Sequence, residues 1–141
     1  MANTPHSNVL QTPELTFSEC FFCQPKSEEI LHENELALCL VDNHPVVKGH
    51  CLFIPKRHAP TYFDLTPDEV LAINELTQRA RERLMTEDPT ITGFNLGTNM
   101  GSSGGQSVFH CHFHLFPRRD GDQDNPRGGV RRIFPEKARY N

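Results

Sequence analysis

The sequence lacks an apolar run long enough to cross a bilayer, and roughly its first thirty residues lack the hydrophobic core of a secretory signal peptide. It also lacks an excess of positive charge, because 18 acidic residues outnumber 14 lysines and arginines and give a formal net charge of −4. We therefore expect neither a membrane partner nor a specific nucleic-acid partner for this chain.

Cysteine is too sparse for a disulfide scaffold, because five cysteines in 141 residues are a small and odd number. This usage favours a reducing compartment, and we expect a cytoplasmic protein. A Walker P-loop is missing as well, since the glycine- and serine-rich segment at residues 97 to 108 does not end in Gly-Lys-Ser or Gly-Lys-Thr.

The length of the chain fits one domain with a substantial core. Residues 1 to 18 are polar, contain Pro5 and Pro13, and are predicted to form a loose N-terminal arm. Residues 19 to 141 are predicted to form a single domain. From Pro117 onward this domain is rich in Gly, Pro, Arg and Asp, which predicts an irregular C-terminal tail with a short strand at residues 130 to 134.

The apolar pattern predicts an α+β fold, with a mainly antiparallel five-stranded sheet and one long helix. The strands are predicted over residues 30 to 32, 36 to 41, 50 to 55, 92 to 96 and 109 to 116. The helix begins with Thr66 as N-cap, Pro67 at the first helical position and Glu69 closing a capping box, and it ends near Thr86. Its core side chains recur at spacings of three and four: Val70, Ile73, Leu76, Ala80 and Leu84.

The segment His110-Cys111-His112-Phe113-His114 carries the strongest functional signal in the chain. In a strand, side chains alternate between two faces, so the three histidines share one face and the apolar residues turn toward the core. Three imidazoles on one face suit phosphate chemistry or a metal. The preceding Gly/Ser-rich segment strengthens the first interpretation, because glycines let backbone N–H groups approach an anion and hydroxyls add donors.

Residues 106 to 116 resemble the signature of the histidine-triad (HIT) family of nucleotide hydrolases and transferases, in which three histidines alternate with apolar residues. Residues 41 to 50 and 53 to 58 are similar to the nucleoside-binding half of that family. Residues 114 to 122 are similar to its Fhit-like members, which act on dinucleoside polyphosphates. The resemblance covers roughly residues 20 to 122. It implies the HIT-like fold, a homodimer and a small-molecule nucleotide substrate.

The resemblance also implies a role for each residue of the site. His112 is expected to attack the α-phosphate and form a nucleotidyl-histidine intermediate that water resolves, and a neutral imidazole is a suitable nucleophile for this step. The other expected catalytic residues are His114 on the phosphate, Ser107 on the leaving atom and His50 in an orienting role. The expected nucleotide-binding residues are Asp42 on the ribose hydroxyls, Asn99 near the phosphate, and Gly105 and Gln106 as loop donors. No metal is required for this chemistry.

The pair Cys20 and Cys23 can be a zinc knuckle, a redox pair or two ordinary buried cysteines. The surrounding sequence has no βαβ pattern, so a thioredoxin-like role is disfavoured. Some HIT proteins bind a structural zinc ion through two such cysteines, a histidine after the third strand and the first triad histidine. By that resemblance the ligands are Cys20, Cys23, His58 and His110, a closed set of the kind that structural zinc prefers.

Two other functions stay open at this point. The triad histidines can be ligands of one catalytic metal in a metal-dependent hydrolase, although no acidic residue lies within their strand. The protein can also be a nucleotide-binding protein with weak activity. The leaving group is open too, because dinucleoside polyphosphates, nucleoside phosphoramidates and sulfate-linked nucleotides all present the same α-phosphate. Residues 117 to 122 favour dinucleoside polyphosphates, whereas Asn99 and Ser107 are like the phosphoramidate-cleaving (Hint-like) members of the family.

Overall fold

The computed structural model describes residues 20–138, so the predicted loose arm at residues 1 to 18 lies outside the described residues. In chain order the main elements are β1 (Ile30–Glu33), β2 (Ala37–Val41), β3 (Cys51–Pro55), α1 (Pro67–Glu87), β4 (Ile91–Thr98) and β5 (Phe113–Arg119). Short 3-10 helices lie at Ser27–Glu29, Tyr62–Asp64, Gly129–Ile133 and Pro135–Lys137. None of the helices in this described part has an apolar stretch of membrane-spanning length.

The five strands form one sheet in the order β1-β2-β3-β5-β4, and each neighbouring pair is antiparallel. The connection from β3 through α1 to β4 lets β5 insert between β3 and β4. In this position His114 of β5 pairs with Leu52 of β3 on one side and with Gly97 of β4 on the other. The predicted α+β fold with a five-stranded antiparallel sheet and one long helix is confirmed.

Helix α1 begins where its capping signals place it. The Thr66 hydroxyl accepts from the Glu69 N–H, and the Glu69 carboxylate accepts from the Thr66 N–H. Glu69 is buried, and the guanidinium of Arg57 donates to both of its carboxylate oxygens at 3.0 and 2.8 Å, which offsets the cost of burying its charge. The helix packs on one face of the sheet through Ile73, Leu76, Ala80 and Leu84, against Ala37, Cys39, Cys51, Phe53 and Leu115.

The opposite face of the sheet is covered by the segment that precedes β1. Cys20 and Phe22 pack there on Leu38, Leu40, Leu52 and Ile54. Because Leu115 of β5 faces α1, its neighbour His114 faces this second side. Hereafter this surface of the sheet is called the Phe22 face, and it carries the site described below.

Two predicted strands differ from the structure. β5 begins at Phe113 rather than at residue 109, because the Cys111 N–H donates to the carbonyl of Ala59 at 2.7 Å, in the loop after β3, rather than to a neighbouring strand. The strand predicted at residues 130 to 134 is wrong, and Gly129–Ile133 is a 3-10 helix. Gly128 and Gly129 have φ values of 97° and 51°, so the chain turns there instead of extending.

Candidate active site

The three triad histidines lie near two different clusters. His110 turns toward Cys20, Cys23 and His58, whereas His114 lies against Asp42 and His50. The intervening His112 belongs to neither set of mutually close ligand atoms among residues 20–138. The geometry therefore does not place the triad on one metal ion, which removes the main structural support for the metal-dependent hydrolase.

Four sulfur and nitrogen atoms converge behind the triad. Nδ1 of His110 lies 3.4 Å from Sγ of both Cys20 and Cys23, and Nδ1 of His58 lies 3.2 Å from Sγ of Cys23. Nε2 of His110 donates to the carbonyl of Pro55 at 2.8 Å, so its proton is on Nε2 and the lone pair of Nδ1 faces the sulfurs. Ligands about 2.0–2.3 Å from a tetrahedral zinc ion lie at similar separations from one another, so these residues fit the ion.

Burial changes the acid–base properties of this cluster. His110 is fully buried, and burial lowers its pKa to about 4, so its ring is neutral and able to act as a ligand. Burial, together with the neighbouring Cys20, raises the pKa of Cys23 to about 12. A thiol of this kind has to lose its proton before it can bind a metal, so we expect metal binding here to release protons.

His112 is held in one orientation by main-chain contacts. Its Nδ1 donates to the carbonyl of His110 at 2.9 Å, and the Thr98 hydroxyl donates to the carbonyl of His112 itself at 2.8 Å. Phe22 packs beside the imidazole, with ring centroids 5.2 Å apart. Burial lowers the pKa of His112, partly offset by the bond to the His110 carbonyl and by the charge of Asp42. The ring is therefore neutral near pH 7, and the lone pair of Nε2 is left for chemistry.

His114, His50 and Asp42 form a close polar group on the Phe22 face. Nε2 of His50 lies 2.9 Å from Nδ1 of His114 and 3.3 Å from Oδ2 of Asp42. The Asp42 Oδ1 atom accepts from the His44 N–H at 2.7 Å, which fixes the carboxylate. Phe116 stacks on His114 at 5.5 Å with an interplanar angle of 3°. Burial, reinforced by His112 and His50, lowers the pKa of His114 to about 4, so this ring is neutral as well.

The loop before the triad is shaped by Gln106. Its side-chain oxygen accepts from the Gly101 N–H at 2.9 Å, and its amide nitrogen donates to the carbonyls of Pro60 and Val108 at 2.7 and 3.1 Å. The Gln106 N–H donates to the carbonyl of Gly101. Because these donors are engaged within the protein, we assign Gln106 the role of shaping the loop rather than the predicted role of a phosphate donor.

The remaining predicted phosphate contacts are open to solvent. Asn99, Gly105 and Ser107 are all exposed. Gly105 has a φ of +88°, a conformation that favours glycine, and a side chain there would be strained. These three residues lie on the loop that joins β4 to the triad, so a ligand can reach their donors from solvent.

The arginines after the triad have partners inside the protein. Arg118 forms a bidentate ion pair with Asp122, at 2.8 and 2.7 Å, and donates to Asn95 at 2.8 Å. Arg119 pairs with Asp88 at 2.8 Å. Residues 99 to 116 contain no lysine or arginine at all. The loop and triad strand therefore bring no cation of their own to a polyphosphate.

Sequence reasoning missed three residues that position the site. Thr98 holds the backbone of His112, and Phe22 and Phe116 support the rings of His112 and His114. Phe116 lies two residues after His114 on the same face of β5, so the alternation of the strand contained the signal. Thr98 and Phe22 come from distant parts of the chain, and no local pattern connects them to the triad.

The site combines a neutral imidazole, a second histidine, a carboxylate and a glycine-rich loop with an antiparallel α+β sheet. This combination is that of a histidine-triad nucleotide-binding protein. Residues 24–121 match the family model described as the HIT domain, and the chain belongs to that family. It is 33% identical over 109 residues to adenylylsulfatase HINT3 of Arabidopsis thaliana, a match that covers 74% of this chain and 55% of the plant protein.

Two solved structures are similar in both sequence and shape. One is a HIT family protein from Bacillus anthracis, with 38% identity, a TM-score of 0.64 and coverage of 72% of this chain and 74% of the other. The second is a zinc-bound histidine triad family protein from Mycobacterium smegmatis, with 32% identity, a TM-score of 0.69 and coverage of 78% and 82%.

Proposed function

We propose that this protein is a nucleotide hydrolase or nucleotidyl transferase that cleaves nucleoside 5′-phosphate derivatives at the α-phosphate. The observation that carries the proposal is the bond of 2.9 Å from Nδ1 of His112 to the carbonyl of His110. It fixes the proton on Nδ1 and leaves Nε2 as an unprotonated nucleophile in a buried ring.

The reaction follows as a double displacement. Nε2 of His112 forms a bond to the α-phosphorus while the bond from phosphorus to the leaving group breaks. The exposed hydroxyl of Ser107 donates a proton to the leaving atom and takes one up from solvent water. His114 contacts the phosphate oxygens through the ring nitrogen that faces away from His50. Water, or another acceptor such as inorganic phosphate, then attacks phosphorus and releases any proton it loses to solvent, and His112 leaves with its lone pair restored.

Asp42 is proposed to bind the ribose. Its side chain is 15% exposed, and Oδ1 is already fixed by the His44 N–H. Each carboxylate oxygen has two lone pairs, so the group can still accept from two ribose hydroxyls. The nucleoside would then lie on the Phe22 face with its α-phosphate at His112.

Among the candidate substrates, we propose that a phosphoramidate suits the site better than a long polyphosphate. A dinucleoside polyphosphate brings several charges beyond the α-phosphate, and these would meet the uncharged loop at residues 99 to 107. Arg118 and Arg119 already hold Asp122 and Asp88. An amine leaving group needs only a proton, which in this proposal comes from the hydroxyl of Ser107.

We also propose that Cys20, Cys23, His58 and His110 hold a structural zinc ion. The zinc-bound Mycobacterium smegmatis relative supports the proposal, as do the separations of 3.2–3.4 Å among the four side chains. Four protein ligands leave no open position, so the ion would stabilise the fold and supply no catalytic step. A homodimer is proposed as well, since β4 is an edge strand and Leu96 on it is 48% exposed.

Single-turnover assays on a substrate panel test the proposed function. The panel contains an adenosine phosphoramidate, adenylyl sulfate (because the plant relative is named an adenylylsulfatase) and diadenosine polyphosphates, each with and without inorganic phosphate. We expect the phosphoramidate to be cleaved fastest, and its cleavage to continue in a strong chelator. Cleavage of none of these compounds would leave only the nucleotide-binding role, and complete loss on chelation of a still-folded protein would support metal-dependent hydrolysis.

A further inference from the structure

The backbone N–H of Val46 points into the candidate site from the loop between β2 and β3. It donates to Nδ1 of His50 at 3.2 Å, although the Val46 side chain is 75% exposed. A ring nitrogen that accepts a hydrogen bond carries no proton, so neutral His50 has its proton on Nε2. Val46 therefore contacts the buried His50 through its main chain, although its side chain is exposed.

The proton on Nε2 of His50 determines the state of the next ring. This atom lies 2.9 Å from Nδ1 of His114 and 3.3 Å from Oδ2 of Asp42. His50 donates, so Nδ1 of His114 accepts, and the proton of neutral His114 lies on Nε2. Nε2 of His50 has no lone pair to offer in this state, so the set formed with Asp42 and His114 is a chain of hydrogen bonds rather than three ligands for a cation.

We propose that the Val46 N–H is a positioning group that orients this chain, so that His114 presents Nε2–H to the phosphate of the substrate. The proposal rests on the proposed nucleotide chemistry, but the orientation of the two rings is a property of the free protein. With a proton on Nδ1 of His50 instead, Nε2 would present a lone pair to His114. His114 would then donate from Nδ1 and turn a lone pair toward the phosphate oxygens, which repel it.

The loop is built to keep this N–H in place. The His50 N–H donates to the carbonyl of Val47 at 3.1 Å, which closes a tight turn. Gly49 in this turn has a φ of +92°, and a Cβ atom there would lie 3.0 Å from side-chain atoms of Leu84 and Pro117. The turn is therefore seated against helix α1 and strand β5, and the Val46 peptide has little freedom to rotate away from His50.

Nitrogen-15 NMR of the imidazoles in the free protein tests the orientation directly. At neutral pH we expect Nε2 of both His50 and His114 to carry a proton and Nδ1 of both to carry none. A Val46→Pro variant removes the N–H and Val46→Ala retains it, so the alanine variant is the reference. We expect a substantial fraction of the proline variant to carry a proton on Nδ1 of His50.

The kinetic test uses the same pair of variants. Relative to Val46→Ala, the proline variant should lose about tenfold in kcat with KM changed less than about threefold. Tenfold is at the low end for the loss of a hydrogen bond to a charged group, here the bond from His114 to the phosphate. We expect a value at the low end because Asp42 still favours a proton on Nε2 of His50 in the proline variant. A phenylalanine at position 50 has no ring nitrogen, so it neither accepts from the Val46 N–H nor donates to His114. In the His50→Phe background we therefore expect Val46→Pro to cost less than about twofold, whereas general damage to the loop would cost the same in both backgrounds.

Two results would overturn the proposal: a proton on Nδ1 of His50 in the wild-type protein, or an equal loss from Val46→Pro in both backgrounds. The wild-type spectrum decides the first point even where the proline variant does not fold. A different result would contradict the proposed function: the spectrum shows the expected protons, but the protein cleaves none of the nucleotides.

Discussion

Removal of zinc from the proposed cluster should lower thermal stability before it lowers activity. The cluster joins three segments of chain, with separations of 35 residues between Cys23 and His58 and 87 residues between Cys23 and His110. Crosslinks that close loops of such lengths contribute at most about 4–5 kcal/mol each through loop entropy. Mass action gives a similar value, since free zinc at about a thousandfold its Kd stabilises the folded state by about 4 kcal/mol.

For a domain of this size that free energy corresponds to a decrease in melting temperature of about 10–20 °C. The assay is thermal unfolding with and without a strong chelator, together with metal analysis of protein purified without added zinc. Cys20→Ser should remove the response to chelator. Cys111→Ser is the matched control, because Cys111 is also buried but lies outside the cluster, so its cost in stability should be the same with and without chelator.

Activity should fall less steeply than stability on chelation, because the four proposed ligands act on His112 indirectly, through the carbonyl of His110 and through Phe22, which lies between Cys20 and Cys23. Two results together would refute the zinc site: the purified protein contains less than about a tenth of an equivalent of zinc, and neither chelator nor Cys20→Ser changes the melting temperature. Cys20 and Cys23 would then be ordinary cysteines of the core.

Three further predictions follow from the site. His112→Ala should abolish turnover while nucleotide binding remains measurable by calorimetry, and wild-type kcat in this variant would exclude the covalent mechanism. Wild-type protein should bind 2′-deoxyribose analogues about tenfold to a hundredfold more weakly, since a largely buried carboxylate oxygen of Asp42 that loses its ribose partner costs roughly 1–3 kcal/mol; equal affinities would place Asp42 off the ribose. The free energy of unfolding should decrease as pH falls from about 6.5 toward 4, because His114 titrates at about 4 when folded and near 6.5 when unfolded, so the unfolded chain binds more protons. Denaturant titrations at a series of pH values, for wild type and His114→Asn, measure this dependence. The same change in unfolding free energy with pH in both proteins would contradict the prediction.

The local signals in the sequence predicted most of the fold. The capping box at Thr66 and Glu69 and the apolar stripe of α1 required only neighbouring residues, and both are present. The alternation at residues 110 to 114 predicted the correct face for His114. It did not predict where β5 begins, because the Cys111 N–H bonds to Ala59 in a distant loop, a contact that no local period encodes.

The candidate site depended more on resemblance than on pattern. Cys20 and His110 are 90 residues apart in sequence, and only a family comparison suggested that they meet. Gln106 was expected to supply a loop donor to the nucleotide, but its side-chain amide bonds to the carbonyl of Pro60 and to the N–H of Gly101 within the protein. Residues 117 to 122 favoured dinucleoside polyphosphates by resemblance. In the structure, however, Arg118 is paired with Asp122 four residues further along, and Arg119 is paired with Asp88, which follows helix α1.

The direct test of the central claim is detection of the nucleotidyl-histidine intermediate. Protein mixed with an excess of an adenosine phosphoramidate is quenched within one turnover in alkaline denaturant, digested and analysed by mass spectrometry. The account predicts that the peptide containing His112 gains the mass of one adenylyl group on that residue, and that the modification forms and decays at least as fast as turnover. Rapid cleavage of the substrate with no modified histidine, or with the adenylyl group on another residue, would contradict it.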